Sequence, residues 1–236
     1  MSVTKKCARC GRGIHTGGRG RPPRYCSRSC QAKAYRARSH PPEPGPAAPS
    51  AIQARRRRTI IEAVWRIAAE RGLESASVRE IAAEAGVSTR VVQYHFTDKH
   101  RILIAALEAL HAENETRARV HLEALGETSR PRELLRTVFE EFLPLDARRR
   151  QSLLVLTAYY ARSLTDPELA RVFLADADPL EELVTGIIAA NPGIDPRHEA
   201  RLLVSGVSGL ALDLLHGTRS LEEIRATIDY HVRRVL

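Results

Sequence analysis

Four cysteines stand in two pairs: Cys7-x2-Cys10, then fifteen residues, then Cys26-x3-Cys30. Two thiol pairs flanking a basic, glycine-rich stretch match the donor set of one tetrahedral Zn²⁺ held by four thiolates. Thiolates are soft ligands that suit zinc, and the segment has little else to fold around. Its bulky apolar residues are only Ile14, Tyr25 and Tyr35. His15 and His40 are substitute ligands by chemistry, and the x3 spacing is one residue longer than the commonest x2. Free thiols, a redox-sensitive disulfide and a finger that no longer holds metal are competing readings. Catalysis is not expected, because a closed four-thiolate site keeps no coordination position open.

A second constellation lies further along, in Ser88-Thr89-Arg90-Val91-Val92-Gln93-Tyr94-His95-Phe96. Thr89, Arg90 and Gln93, three and four apart, read as the outward polar set, with Val92 and Phe96 facing inward. Gln can pair bidentately with adenine and Arg with guanine in a major groove about 12 Å wide. Tyr94, His95 and Lys99 suit phosphate contacts, and Lys99 begins a helix whose first N–H groups favour an anion. The alternative for Tyr94 and His95 is a wedge between helices.

These side chains need elements to hold them. The pattern predicts a helix over Ser77–Ala85, a turn at Gly86-Val87 and a helix over Ser88–His95, which is helix-turn-helix spacing. A preceding helix carries Ile60, Ile61, Val64, Ile67 and Ala68 on one stripe and stops at Gly72. Ser77 and Glu80 form a predicted capping box. Asp98 caps a following helix with Ile102, Leu103, Ala106, Leu107 and Leu110 buried. Further helices are predicted at 132–143, 147–164, 167–175, 179–190, 196–216 and 221–234. Three start at Asp-Pro pairs, Asp166-Pro167, Asp178-Pro179 and Asp195-Pro196, and the last at a Ser220/Glu223 capping box. No alternating strand pattern follows the linker, so the expected fold class is all-α. Residues 40–53 (HPPEPGPAAPSAIQ) contain five prolines and read as an extended linker.

The 236 residues carry a formal charge of +9, very unevenly spread. Residues 1–58 hold fifteen Lys or Arg and a single acid, Glu43; the rest hold 22 bases and 27 acids. A basic arm on a mildly acidic body points to a polyanion, most simply nucleic acid. No apolar run reaches the ~18 residues of a membrane span. Met1–Gly20 lacks the apolar core of a secretory signal, so a reducing cytoplasm is expected. Gly-rich phosphate loops, HExxH and nucleophile elbows are absent from the sequence, and no enzyme is expected.

The segments IIEAVWRIAAERG, SVREIAAEAGVS, VVQYHF and DKHRIL, in order across Arg57–Leu103, resemble the DNA-binding domain of TetR-family transcriptional regulators. Arg90 and Gln93 depart from the family's common glycine and tyrosine. The DNA-facing set expected is Arg57, Arg58, Ser77, Val78, Arg79, Ser88, Thr89, Arg90, Gln93, Tyr94, His95 and Lys99. FLPLD, LTDPELA and GLALDLLHG resemble one subgroup of the family's C-terminal domains, which implies dimerisation and a small-molecule pocket. Val204–Ala211 sets small residues three and four apart, which suits either a four-helix homodimer seam with helix 221–234 or tight packing inside one chain. Phe139, Phe142, Tyr159, Tyr160, Phe173 and Trp65 read as core rather than ligand wall. YCSRSCQ resembles half of a treble-clef zinc module with Cys7, Cys10, Cys26 and Cys30 as ligands. Arg19-Gly20-Arg21-Pro22 resembles an AT-hook core, with a solvated basic loop as the plainer reading.

The expected organisation is a Cys-rich module (1–39), a Pro-rich linker (40–53), a helix-turn-helix domain (54–110) and a helical dimerisation and effector domain (111–236). The resemblance implies a homodimeric repressor that binds double-stranded DNA and is released by an unidentified small molecule. The alternative is a metal- or redox-sensing regulator with the cysteines as its input.

Overall fold

A computed structural model describes residues 5–14, 23–39, 50–126, 130–175 and 177–236, leaving aside the side chains of 36–39, 177 and 178. His15, Arg19, Arg21 and His40 lie outside these residues. The chain divides into two units, Met1–Ser50 and Ala51–Leu236.

In the first unit, strands β1 (Lys5–Lys6) and β2 (Gly13–Ile14) pair antiparallel, Lys5 opposite Ile14. Helix α1 spans Arg28–Ser39. The hairpin is closed by Cys7 N–H donating to the Arg12 carbonyl (2.8 Å) and Gly11 N–H to the Cys7 carbonyl (3.0 Å). Gly11 sits at φ 73°, where a side chain would be strained. Among the described apolar residues of this unit, only Cys7 and Ile14 are buried. That is too little apolar burial to fold so short a segment unaided.

The second unit is all-α. Helix α2 runs Ala51–Arg71 and buries Ile60, Ile61, Val64, Trp65, Ile67 and Ala68 on one stripe. It begins at Ala51, so Ala51–Gln53 belong to the helix, not to the Pro-rich linker; no proline follows Pro49 to stop it. After a 3-10 turn at Leu73–Ser75 come α3 (Val78–Glu84) and α4 (Thr89–His95). Between them the chain makes a Schellman closure. Val87 N–H donates to the Ala82 carbonyl (3.0 Å) and Gly86 N–H to that of Ala83 (3.1 Å), with Gly86 at φ 65°. Ser77 caps α3 by accepting from Glu80 N–H at 3.1 Å. The box is only half made, because the Glu80 carboxylate takes a hydrogen bond from Arg71 instead. Ser220 and Glu223 complete theirs.

Helix α5 (Lys99–Leu125) is followed by α6 (Pro131–Glu140), α7 (Ala147–Ser163), α8 (Pro167–Leu174), α9 (Ala177–Ile188), α10 (Pro196–His216) and α11 (Leu221–Val235). Two boundaries differ from expectation. Helix α6 stops at Glu140, not 143, since Pro144 disfavours helical backbone at Leu143. Helix α9 starts at Ala177, so Asp178 lies inside it and Pro179 in its first turn, where a proline's missing N–H costs nothing.

Two apolar cores form. The first joins α2–α5 to Val155 and Tyr159 of α7 and Leu169 of α8. The second joins α6, α9, α10 and α11. Trp65 Nε1 donates to the Ala106 carbonyl (2.9 Å) and the Tyr159 hydroxyl to that of Leu103 (2.8 Å), so both rings are core. Phe139 is wholly buried, whereas Tyr160 is exposed.

Between the cores, α5 and the first turns of α7 meet through polar groups. Glu113 takes hydrogen bonds from Arg58 (2.5 Å) and Arg148, whose guanidiniums lie 5.1 and 4.9 Å from the Trp65 ring centroid. Ser152 donates to Asn114 (2.8 Å), and Glu141 gathers Arg117, His121 and Arg149. Burial works to raise the Glu113 carboxyl, but the hydrogen bonds from Arg148 and Arg58 outweigh it and hold it below the ordinary 4.5.

Two outcomes are expected. An added Cβ at Gly86 meets nothing within 4 Å. Gly86→Ala should therefore destabilise through backbone conformation alone, by about 1–2 kcal/mol. In thermal melts that is about 2–4 °C per kcal/mol, and Gly86→Asn should recover part of it; an unchanged Tm for Gly86→Ala would refute this account of the turn. Glu113→Gln should cost about 1–3 kcal/mol at neutral pH. A depressed carboxyl contributes stability above its unfolded pKa and loses it as pH falls through the folded value. Denaturant melts of wild type and variant should therefore converge below about pH 4.5; a gap that stays constant would exclude the ionised pair as its source.

Candidate nucleic-acid interface

Helix α4 has only seven residues, too short to hold itself in water. Its placement comes from one apolar side, Val92 at 0% and Phe96 at 5% exposure, sunk into the first core. Ser88 caps it, accepting from Val91 N–H at 3.4 Å. With those two side chains anchored, Thr89, Arg90 and Gln93 stand exposed. Tyr94 is 72% exposed.

The beginning of α2 lies along the end of α4. Gln53 Nε2 donates to the Tyr94 hydroxyl at 3.0 Å, and the Arg57 guanidinium covers the Phe96 ring at 4.5 Å. His95 is half-buried, its ring edge-on to Tyr94 with centroids 5.2 Å apart. Burial, then the charges of Arg56 and Arg57, push the His95 pKa below its ordinary 6.5. In the free chain this favours the neutral imidazole. Gln53 and Arg56 are additions to the expected set. Gln53 falls in the stretch that reads as linker, and only α2's full length places it against Tyr94.

Other expected residues are placed less favourably. Arg58 departs from the group: Glu62 (2.7 Å) and Glu113 (2.5 Å) already hold its guanidinium, so a phosphate would have to displace two carboxylates. Val78 is half-buried against the first core. The Ser77 hydroxyl accepts in its cap and keeps its own O–H to donate, and Arg79 is exposed. Lys99 is half-buried at the first position of α5. The N-terminus of α5 already holds an anion, since the Asp98 carboxylate accepts from Arg101 N–H at 2.9 Å and from the Thr97 hydroxyl at 3.1 Å. The Arg101 amide bond keeps Asp98 ionised below its usual range.

In the first unit the sulfurs of Cys7, Cys10, Cys26 and Cys30 all lie within 4.8 Å of one another. Cys10 and Cys26 are 3.5 Å apart, Cys26 and Cys30 3.6 Å. A tetrahedron with ~2.3 Å Zn–S bonds has edges of about 3.8 Å, so the donor set fits a four-thiolate metal site. The β-hairpin turn supplies one pair. Cys30 comes from the first turn of α1, where its N–H donates to Ser27 Oγ at 3.2 Å. Backbone N–H groups of Arg9, Cys26 and Cys10 push the Cys7 thiol down to about 6. Sharing protons with Cys10 and Cys30 pushes Cys26 up to about 12, as expected where sulfurs crowd together.

Among the described residues no helix is long and apolar enough to cross a membrane. Residues 60–106 match the model of bacterial regulatory proteins of the tetR family, and residues 131–236 that of the BetI-type transcriptional repressor C-terminal domain. The HTH-type transcriptional regulator BetI of Yersinia pestis is 29% identical over 159 residues, covering 67% of this chain and 78% of the relative. A transcriptional regulator from Rhodococcus sp. Rha1 superposes with a TM-score of 0.68 at 28% identity, over 76% of this chain and 95% of that one. A regulator from Saccharomonospora viridis, solved in complex with choline, shares the fold at 24% identity and a TM-score of 0.68, over 76% and 96%. An outward polar side on α4, one family model over the helices that hold it and a second over the C-terminal helices agree: the chain belongs to the TetR family of DNA-binding transcriptional regulators, with a BetI-type C-terminal domain.

Proposed function

We propose that the protein is a homodimeric repressor that sets two copies of α4 in successive major grooves and leaves the DNA when a small molecule binds its C-terminal domain. The observation that carries this reading is the exposure of Thr89, Arg90 and Gln93 on a short helix held by the buried Val92 and Phe96. Arg90 reads guanine and Gln93 adenine; Arg57, Arg79, Tyr94 and Lys99 contact phosphate or sugar. For the dimer, α10 presents Leu202, Ser205, Gly206 and Gly209 to solvent. A Cβ at Gly206 or Gly209 would meet nothing within 4 Å, which favours close approach by a second copy over packing inside one chain. Tyr230 on α11, 54% exposed, extends the same seam. The choline-bound relative supports a small-molecule effector for this chain, acting by preferring the conformation with the wrong half-site spacing.

The same reading assigns one zinc ion to Cys7, Cys10, Cys26 and Cys30, with all four positions filled by thiolate and a structural role. Zinc would draw the hairpin and α1 together where apolar contacts are too few.

Two measurements test these assignments. In a mobility-shift assay on DNA flanking its own gene, Arg90→Ala with Gln93→Ala should cost about 1–3 kcal/mol for each base left unread while weak non-specific binding persists. Equal weakening on operator and random DNA would contradict base reading. Mass spectrometry of the purified chain should find about one zinc per protomer, falling on Cys26→Ser with Cys30→Ser. A metal-free chain with four titratable thiols would remove zinc from this account.

A further inference from the structure

We propose that the first unit is a second, sequence-tolerant duplex-binding module that grips the phosphate backbone flanking the operator. The proposal rests on the DNA-binding reading above. Lys5, Lys6, Arg9, Arg12, Arg24, Arg28 and Lys33 are all exposed, and the chain holds no acid before Glu43 to neutralise them. They sit on the hairpin and its turn, on the segment that leads into α1 and on the first turns of α1, pieces that the cysteine cluster gathers together. Cations on a small rigid unit favour a polyanion. Tyr35 is the unit's exposed large apolar side chain among the described residues, so there is no apolar wedge of the kind that anchors a protein in a membrane surface.

Duplex DNA is favoured because of what the unit is joined to. Eleven peptide steps separate Ser39 from Ser50, and they cannot span more than about 40 Å whatever their conformation. Whenever α4 occupies its half-site, the basic unit is therefore confined to about one helical turn of flanking duplex. That confinement raises its effective concentration at the phosphates. None of its exposed cations needs a base partner, so the contribution is to affinity and footprint length, not to sequence choice.

The test uses the full chain with Lys5→Gln, Lys6→Gln, Arg9→Gln and Arg12→Gln combined, and in parallel Arg28→Gln with Lys33→Gln on α1. Operator affinity is measured against salt concentration, and hydroxyl-radical footprints are taken on long and minimal duplexes. Wild type should protect backbone outside the α4 half-sites. Both variants should lose that flank and flatten the log–log salt slope by about 0.9 for each phosphate no longer neutralised, with operator preference over random DNA unchanged. Unchanged slope and footprint would overturn the proposal. So would loss of operator preference, since the unit would then belong to primary recognition. Unchanged DNA binding with weakened affinity for anionic lipid vesicles would assign the patch to a membrane and also overturn it. Failure of the Arg90/Gln93 variant to lose preference would fall on the base-reading assignment instead, so the two failures are distinguishable.

Discussion

The arrangement depends on the burial of one side of a seven-residue helix. Val92 of α4 and Phe96 just past its end are held in a core supplied by α2, α3 and α5. Burying two such side chains is worth about 1.5–3 kcal/mol each, which an isolated helix of this length cannot realise. With Val92 and Phe96 fixed, the orientation of so short a helix is fixed too, and Thr89, Arg90 and Gln93 are left exposed. The Schellman closure at Gly86 and the Ser88 cap then set where α4 starts.

A second constraint is the polar layer between the cores. Helix α5 leaves the first core at Leu110 and approaches the second at Leu122, and between them its inward groups are Glu113, Asn114 and Arg117. Their partners are Arg58 on α2 and Arg148 and Ser152 on α7, with Glu141 after α6. Ion pairs of this kind add little net stability over apolar packing, but removing one partner is costly. Their directional geometry fixes how α2, α5 and α7 meet around Trp65. The groups that link the helix-turn-helix bundle to the C-terminal helices are thus charged and hydrogen-bonded, with Arg58 among them.

Much of the fold is legible in the residues. Asp98, Asp146, Asp166 and Asp195 each accept a first-turn N–H, as short acceptor side chains before a helix should. The small residues of α10 suit two uses, and which one applies is not written in their spacing; in the folded chain a Cβ at Gly206 or Gly209 would meet nothing within 4 Å. Less legible are the places where a long side chain chooses among partners. Glu80 looks like the second half of a capping box, but Arg71 at the end of α2 takes its carboxylate. Lys99 looks like the start of an anion site, but Asp98 fills it first.

By itself the sequence determined the helical periodicity, the turn at Gly86, the pairing of the thiols and the polar and apolar sides of α4, because these follow from local spacing and backbone preference. Only the tertiary structure decided which cations remain free for a polyanion. Arg57 and Arg58 are neighbours in sequence, but one lies over Phe96 beside α4 and the other is held by Glu113, fifty-five residues away. Charge is a property of a residue, whereas its availability depends on which opposite charge the fold brings within reach.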